Sequence, residues 1–116
     1  MEGSKLYDLS MVESIGGGDP SFVKKMVQLF VDTMPKNFDE MNAALRSNNW
    51  SEVGKLAHKM KATIDSMAIV SLQQDIRTLE ANGKNSQNIE AIPSLVDKVV
   101  GVLKQCVEAL KKEFGI

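Results

Sequence analysis

Apolar side chains recur every three or four residues along most of this chain, and that period leaves room for little besides helices. Counted at about 100° per residue, Val53, Leu56, Ala57, Met60, Ile64 and Met67 fall within roughly 100° of arc, a stripe of the width that faces a core. The same spacing joins Phe22, Val23, Met26, Val27, Phe30 and Val31, and resumes with Phe38, Met41, Ala44 and Leu45. It returns in Ile69, Leu72, Ile76 and Leu79, and again in Leu95, Val99, Val102, Leu103, Cys106, Leu110 and Phe114. Aromatic residues make up only 5% of the chain and no stretch alternates polar with apolar, so strands have almost no support.

Short polar and glycine-rich segments divide these runs. Asp8 or Ser10 can cap a short leader helix to about Ile15, which Gly16, Gly17 and Gly18 end. Asp19-Pro20 has the form of an N-cap followed by proline in the first helical turn. Pro35 lies inside the next apolar run and is expected to kink or break it, because it has no N–H and crowds the preceding turn. Asn48-Asn49 predicts a turn, with Ser51 capping a helix to about Met67 and a tight connection near Ala68. Gly83 is expected to stop the following helix. Lys84 to Asn88 then reads as a loop, Ser86 can cap the last helix, and Pro93 either bends that helix or marks its first turn. Four amphipathic helices joined by short loops pack as antiparallel neighbours. The expected fold is therefore all-α: an antiparallel up-down-up-down four-helix bundle with a short N-terminal leader helix, spanning 1–116 as one domain, without internal repeats.

Composition excludes several classes of function. A net charge of −1 gives no overall attraction to nucleic acid or anionic membrane. One cysteine, Cys106, allows no disulfide within the chain, and one Cys with one His cannot supply the four ligands of a structural zinc site. The opening MEGSKLYD lacks the basic start and apolar run of a signal peptide, and no window approaches the roughly 18 apolar residues of a membrane span. A monomer in a reducing cytoplasm is expected. GGGD lacks the spacing and lysine of a phosphate-binding loop, so no nucleotide site is expected.

His58, the one histidine, decides the functional reading. It falls about 140° from Val53, off the core stripe, on a side shared with Gly54, Lys61, Ala62 and Asp65. Gly54 and Ala62 stand at i−4 and i+4 and are small, which is expected to leave the imidazole clear for the approach of another protein's backbone. Lys61 lies one turn on, and Lys55 and Lys59 add positive charge nearby. A neutral imidazole can attack phosphorus, and an ammonium one turn away offsets the charge that arrives.

These residues resemble the histidine phosphotransfer (HPt) domain family. The likeness lies in Ala57-His58-Lys59-Met60-Lys61-Ala62-Thr63, then Ala68-Ile69, Leu72 and Leu79-Glu80, with LYDLSMVESIGGGDPSFVKKMVQLF similar to the family's leader and first bundle helix. The resemblance implies that His58 accepts the phosphoryl group, that Lys61 assists the phosphate, and that Glu80 faces the histidine from the adjoining helix. A carboxylate there could accept from one ring N–H and fix the tautomer. Ala62 and Ala68 depart from the glycines usual at those positions. Asp65 is unusual so near a phosphate, and either shortens the life of the phosphorylated form or pairs with Lys61 at i+4.

The implied function is that of a phosphorelay intermediate, taking a phosphoryl group from a receiver-domain aspartate and passing it to another receiver. Response-regulator receivers and a hybrid histidine kinase would be its partners. Gly54, Lys55, Lys59, Ala62 and Asp65 would form a docking side, joined by exposed apolar residues of the leader helix. The chain itself would hold no cofactor, any Mg²⁺ belonging to the receiver, and would have no kinase or ATPase activity of its own. The rival is a helical adaptor of the same shape that carries no phosphate, for which seven methionines suggest an adaptable apolar face. Core filling is the alternative use of those methionines. The chain would be a free-standing protein or the tail of a hybrid kinase.

Overall fold

A computed structural model describes residues 6–116. The reading of the N-terminus as free of a targeting signal rests mostly on residues 1–5 and lies outside the described residues. The order is α1 (Ser10–Ile15), α2 (Pro20–Arg46), α3 (Trp50–Ser66), α4 (Val70–Asn85), a 3₁₀ turn (Ile89–Ala91) and α5 (Ile92–Phe114), with no strand among the described residues. Contacts pass from α2 to α3, α3 to α4, α4 to α5 and back to α2, which closes a four-helix bundle, while α1 packs on α2. At about 1.5 Å per residue the 27 residues of α2 span roughly 40 Å, close to the 42 Å long axis of the molecule. No helix among the described residues is long and apolar enough to cross a membrane.

The periodic positions form the core. Val53, Ile64, Ile69, Leu72, Ile76, Leu79, Leu103, Cys106 and Leu110 are all without solvent exposure. Met34, Met41, Met60 and Met67 are buried with them, so these methionines fill the interior instead of forming an outer face. The leader segment is tied down at two points. The Asp8 amide donates to the Met67 carbonyl at 2.8 Å, and the Tyr7 hydroxyl donates to Glu113 Oε1 at 2.6 Å.

Several boundaries differ from expectation. Helix α2 runs without interruption through Pro35. Proline's missing N–H falls at an exposed position, and the loss of roughly 3 kcal/mol is offset by burying Met34, Phe38 and Met41 on either side, each worth about 1.5–3 kcal/mol. The cap of α3 is Asn49, whose Oδ1 accepts from the Glu52 amide at 3.3 Å, so that helix begins before Ser51. Gly83 does not stop α4, which continues to Asn85, and Ser86 is its left-handed C-cap, not the N-cap of the last helix. Pro93 sits in the first turn of α5, where its missing N–H removes no helical bond.

The α3–α4 connection shows what Ala68 does. The Ile69 amide donates to the Ile64 carbonyl at 3.0 Å and the Ala68 amide to the Asp65 carbonyl at 3.1 Å. This is the paired-bond C-cap that places one residue in the left-handed region, and that residue is Ala68, with φ of 49°. Ile64 and Ile69 supply the accompanying apolar contact, both fully buried. Alanine in that conformation carries about 1–2 kcal/mol of strain, part of which glycine would return as unfolded-chain entropy. Ala68→Gly is expected to stabilise the fold by about 0.5–1 kcal/mol, read as a higher urea midpoint at unchanged slope.

Candidate functional site

The site lies between α3 and α4, the most extensively packed pair of helices in the bundle. Gly54 of α3 meets Gly83 of α4 near one end, and Asp65 meets Arg77 near the other, so this pair runs antiparallel. At the glycine end the two backbones nearly touch. A Cβ placed on Gly54 would stand 2.6 Å from the Lys84 amide nitrogen, and one placed on Gly83 would stand 2.6 Å from that of Gly54. Both glycines are buried. This corrects the expectation for Gly54: the backbone that its missing side chain admits is the chain's own α4, not that of a docking partner.

One turn further along α3, His58 projects with 67% of its side chain exposed. Its Nδ1 lies 2.7 Å from Glu80 Oε2. The other oxygen, Oε1, accepts from the Lys61 ammonium at 2.8 Å. Lys61's bond, and secondarily that from His58, holds the Glu80 carboxyl below the usual carboxylate range, so it is ionised near neutral pH and can only accept. The hydrogen between it and His58 therefore sits on Nδ1. In the neutral ring the lone pair is then on Nε2, the nitrogen directed away from Glu80.

Asp65 does not pair with Lys61. It takes a two-pronged bond from Arg77, at 2.7 Å and 3.1 Å, and the guanidinium holds its carboxyl below the usual range. The negative charge expected to oppose a phosphate is thus neutralised from α4. Lys55, Lys59 and Ala62 are exposed on α3. Lys55, His58 and Lys59 border a cleft of about 370 Å³ that also takes in Ser51, Gly54, Glu80 and Lys84.

This arrangement sets a solvent-exposed imidazole beside an ionised carboxylate in a setting of lysines. A family model described as Hpt domain matches residues 25–113. The chain belongs to the Hpt domain family. No curated protein and no solved structure matches the chain. Hpt domains are phosphocarriers of two-component signalling, where they interact with receiver domains and kinases.

Two cations of this Hpt domain escape sequence reasoning. Punctuation along the chain puts Lys84 in a loop beyond Gly83, yet it lies in the last turn of α4 and lines the histidine's cleft. Its i+4 relation to Glu80 is the signal that could have found it. Arg77, at i−3 to Glu80, shares the same face by the same rule. Cys106, by contrast, is buried in the core, where burial pushes its thiol up to about 11. It stays protonated at neutral pH and offers no second nucleophile.

The glycine crossing and the two lowered carboxyls each have a measurable consequence. Gly54→Leu, harmless if this face were open, is expected to lower unfolding stability by about 3 kcal/mol in urea, because the overlap is with backbone that cannot turn aside. Asp65 and Glu80 both ionise more readily folded than unfolded. The stability they add is complete above the ordinary carboxylate range and is lost as pH falls through the lowered one. The double variant Asp65→Asn with Glu80→Gln should therefore flatten the acid limb of a stability profile. It should not abolish that limb, since the capping carboxylate of Asp19 is lowered too, chiefly by its bond from the Ser21 hydroxyl.

Proposed function

We propose that this Hpt domain is a phosphorelay intermediate in which His58 Nε2 carries the phosphoryl group between receiver domains. The observation that supports it most is the 2.7 Å contact from Nδ1 to Glu80 beside an imidazole that is otherwise open to solvent. A receiver's aspartyl phosphate presents phosphorus to Nε2. The N–P bond forms as the acyl-phosphate O–P bond breaks, and the electron pair leaves with the receiver's carboxylate. The ring becomes an N-phosphorylated imidazolium whose positive charge faces Glu80, so no proton must leave for the step to proceed. Return to a second receiver uses the same atoms in reverse. Lys61 holds Glu80 in place and lends charge to the phosphoryl oxygens, since an ammonium has donors beyond the one given to Glu80. Magnesium belongs to the receiver's acidic pocket, and the chain needs no nucleotide because the donor is already an activated phosphate.

Docking would use both flanks of His58. Lys55, Lys59 and Lys84 form a cationic side suited to an acidic receiver pocket. On the other flank, Met11 and Val70 are exposed at 51% and 71% and share a concavity with Asp65 and Arg77. Ile15 of α1 is exposed as well. Ala62 keeps the ground between the two flanks low. We read the domain as monomeric and cytoplasmic, with its four long helices alternating up and down as their short connections favour.

Incubation with a phosphorylated receiver decides between this carrier and an adaptor that never holds phosphate. Label should move to the chain as acid-labile phosphate, and His58→Gln should remove it while changing unfolding stability by about 1 kcal/mol or less, the imidazole being exposed. A wild-type protein that binds the phosphorylated receiver without taking label would be the adaptor.

A further inference from the structure

We propose that Gly54 and Gly83 are positioning residues for His58, and that their backbone contact selects the ring tautomer. Neither glycine is at a turn, and both have ordinary negative φ, so conformational freedom is not the reason for them. Each lies within a helix, where glycine is unfavourable by roughly 1 kcal/mol against alanine. The space around them is the reason. At Gly54 an added Cβ would meet the Lys84 amide nitrogen at 2.6 Å, the Glu80 carbonyl oxygen at 3.1 Å and the Gly83 carbonyl carbon at 3.1 Å. At Gly83 it would meet the Gly54 nitrogen at 2.6 Å and the Trp50 carbonyl oxygen at 2.7 Å. Every one of these is a backbone atom, so accommodation requires the helices to part.

The required parting can be set against the bond it would affect. Ordinary contact begins near 3.4 Å, so the 2.6 Å approach must open by about 0.8 Å (3.4 − 2.6). His58 is one turn from Gly54, and Glu80 less than one turn from Gly83, so the opening reaches the site nearly undiminished. Added to the 2.7 Å between Nδ1 and Glu80 Oε2, it gives about 3.5 Å, beyond the range of such a bond. The parting draws Glu80 of α4 away from both its donors, since His58 and Lys61 stand together on α3, and a side chain only 16% exposed has little room to follow them. Alanine in place of either glycine therefore releases the ring from the tautomer with its lone pair on Nε2.

His58 is the one histidine, so long-range ¹H–¹⁵N correlation reports its tautomer without ambiguity. The wild-type chain should show mostly Nδ1–H at neutral pH. Gly54→Ala and Gly83→Ala should each raise the Nε2–H fraction, as should Glu80→Gln. Gly101→Ala, whose added Cβ meets nothing within 4 Å, should leave the ratio alone. The transfer arm rests on the phosphocarrier reading. There, Gly54→Ala should slow phosphorylation by a phosphorylated receiver about tenfold, the worth of one charge-assisted bond. Adding Glu80→Gln should slow it no further. Should the alanine variants fail to fold, Glu80→Asp draws the carboxylate back by one methylene without touching the crossing and must release the tautomer likewise. An unchanged tautomer ratio in folded glycine variants, or in Glu80→Asp, overturns the proposal. A ratio that shifts as stated in a chain that takes no phosphate upholds the positioning and overturns the carrier reading instead.

Discussion

Where two helices meet through glycine alone, their backbones approach until amide and carbonyl atoms are in contact, and everything attached one turn away inherits that spacing. In this molecule the contact between Gly54 and Gly83 does this for α3 and α4. The buried side chains of the core, such as Met34, Phe38 and Leu103, can change rotamer to absorb small displacements. Backbone against backbone has no such freedom. This unyielding contact thus lies one turn from the exposed imidazole.

The electrostatics of the site depend on that spacing. Glu80 is close enough to α3 to serve two donors, one oxygen each, and the Lys61 bond keeps it ionised while the His58 bond uses that charge. Asp65, two turns from His58, is taken out of play by Arg77, which leaves the lysines around the cleft as the dominant charge. A net charge of −1 over the whole chain conceals this local excess. For the phosphocarrier proposed above, which would receive a doubly charged group and then release it, a moderate local field suits better than a strong one. A single ionised carboxylate behind the ring and lysines in front of it provide that balance.

Much of this is legible in the order of residues, for a definite reason. The core of an amphipathic helix is a property of spacing, so Leu72, Ile76 and Leu79, or Met60 and Ile64, can be assigned inward from their numbers alone. The same arithmetic puts His58 outward. Expectation fails where a residue's local tendency meets a tertiary demand. Pro35 and Gly83 each disfavour helix, and each is overruled, Pro35 by the apolar residues buried on both sides and Gly83 by the contact that needs its bareness. At Gly54 smallness is the right property with the wrong use attached, since spacing along one helix does not say which backbone comes to meet it. The partner of Asp65 escapes for the same reason: an i+4 lysine on its own helix loses to an arginine on the next.

The sequence alone determined the number of helices, the stripe each buries, the outward direction of the one imidazole and the family to which the chain belongs, because all of these depend on the order of residues along one helix or a short motif. Only the tertiary structure decided that Glu80, already named by the family resemblance, serves His58 and Lys61 at once, which cation neutralises Asp65, that Lys84 joins the cleft, and how closely the two glycines bring the helices together. Those are relations between two helices whose register comes from packing, and packing is settled by the shapes of both surfaces together.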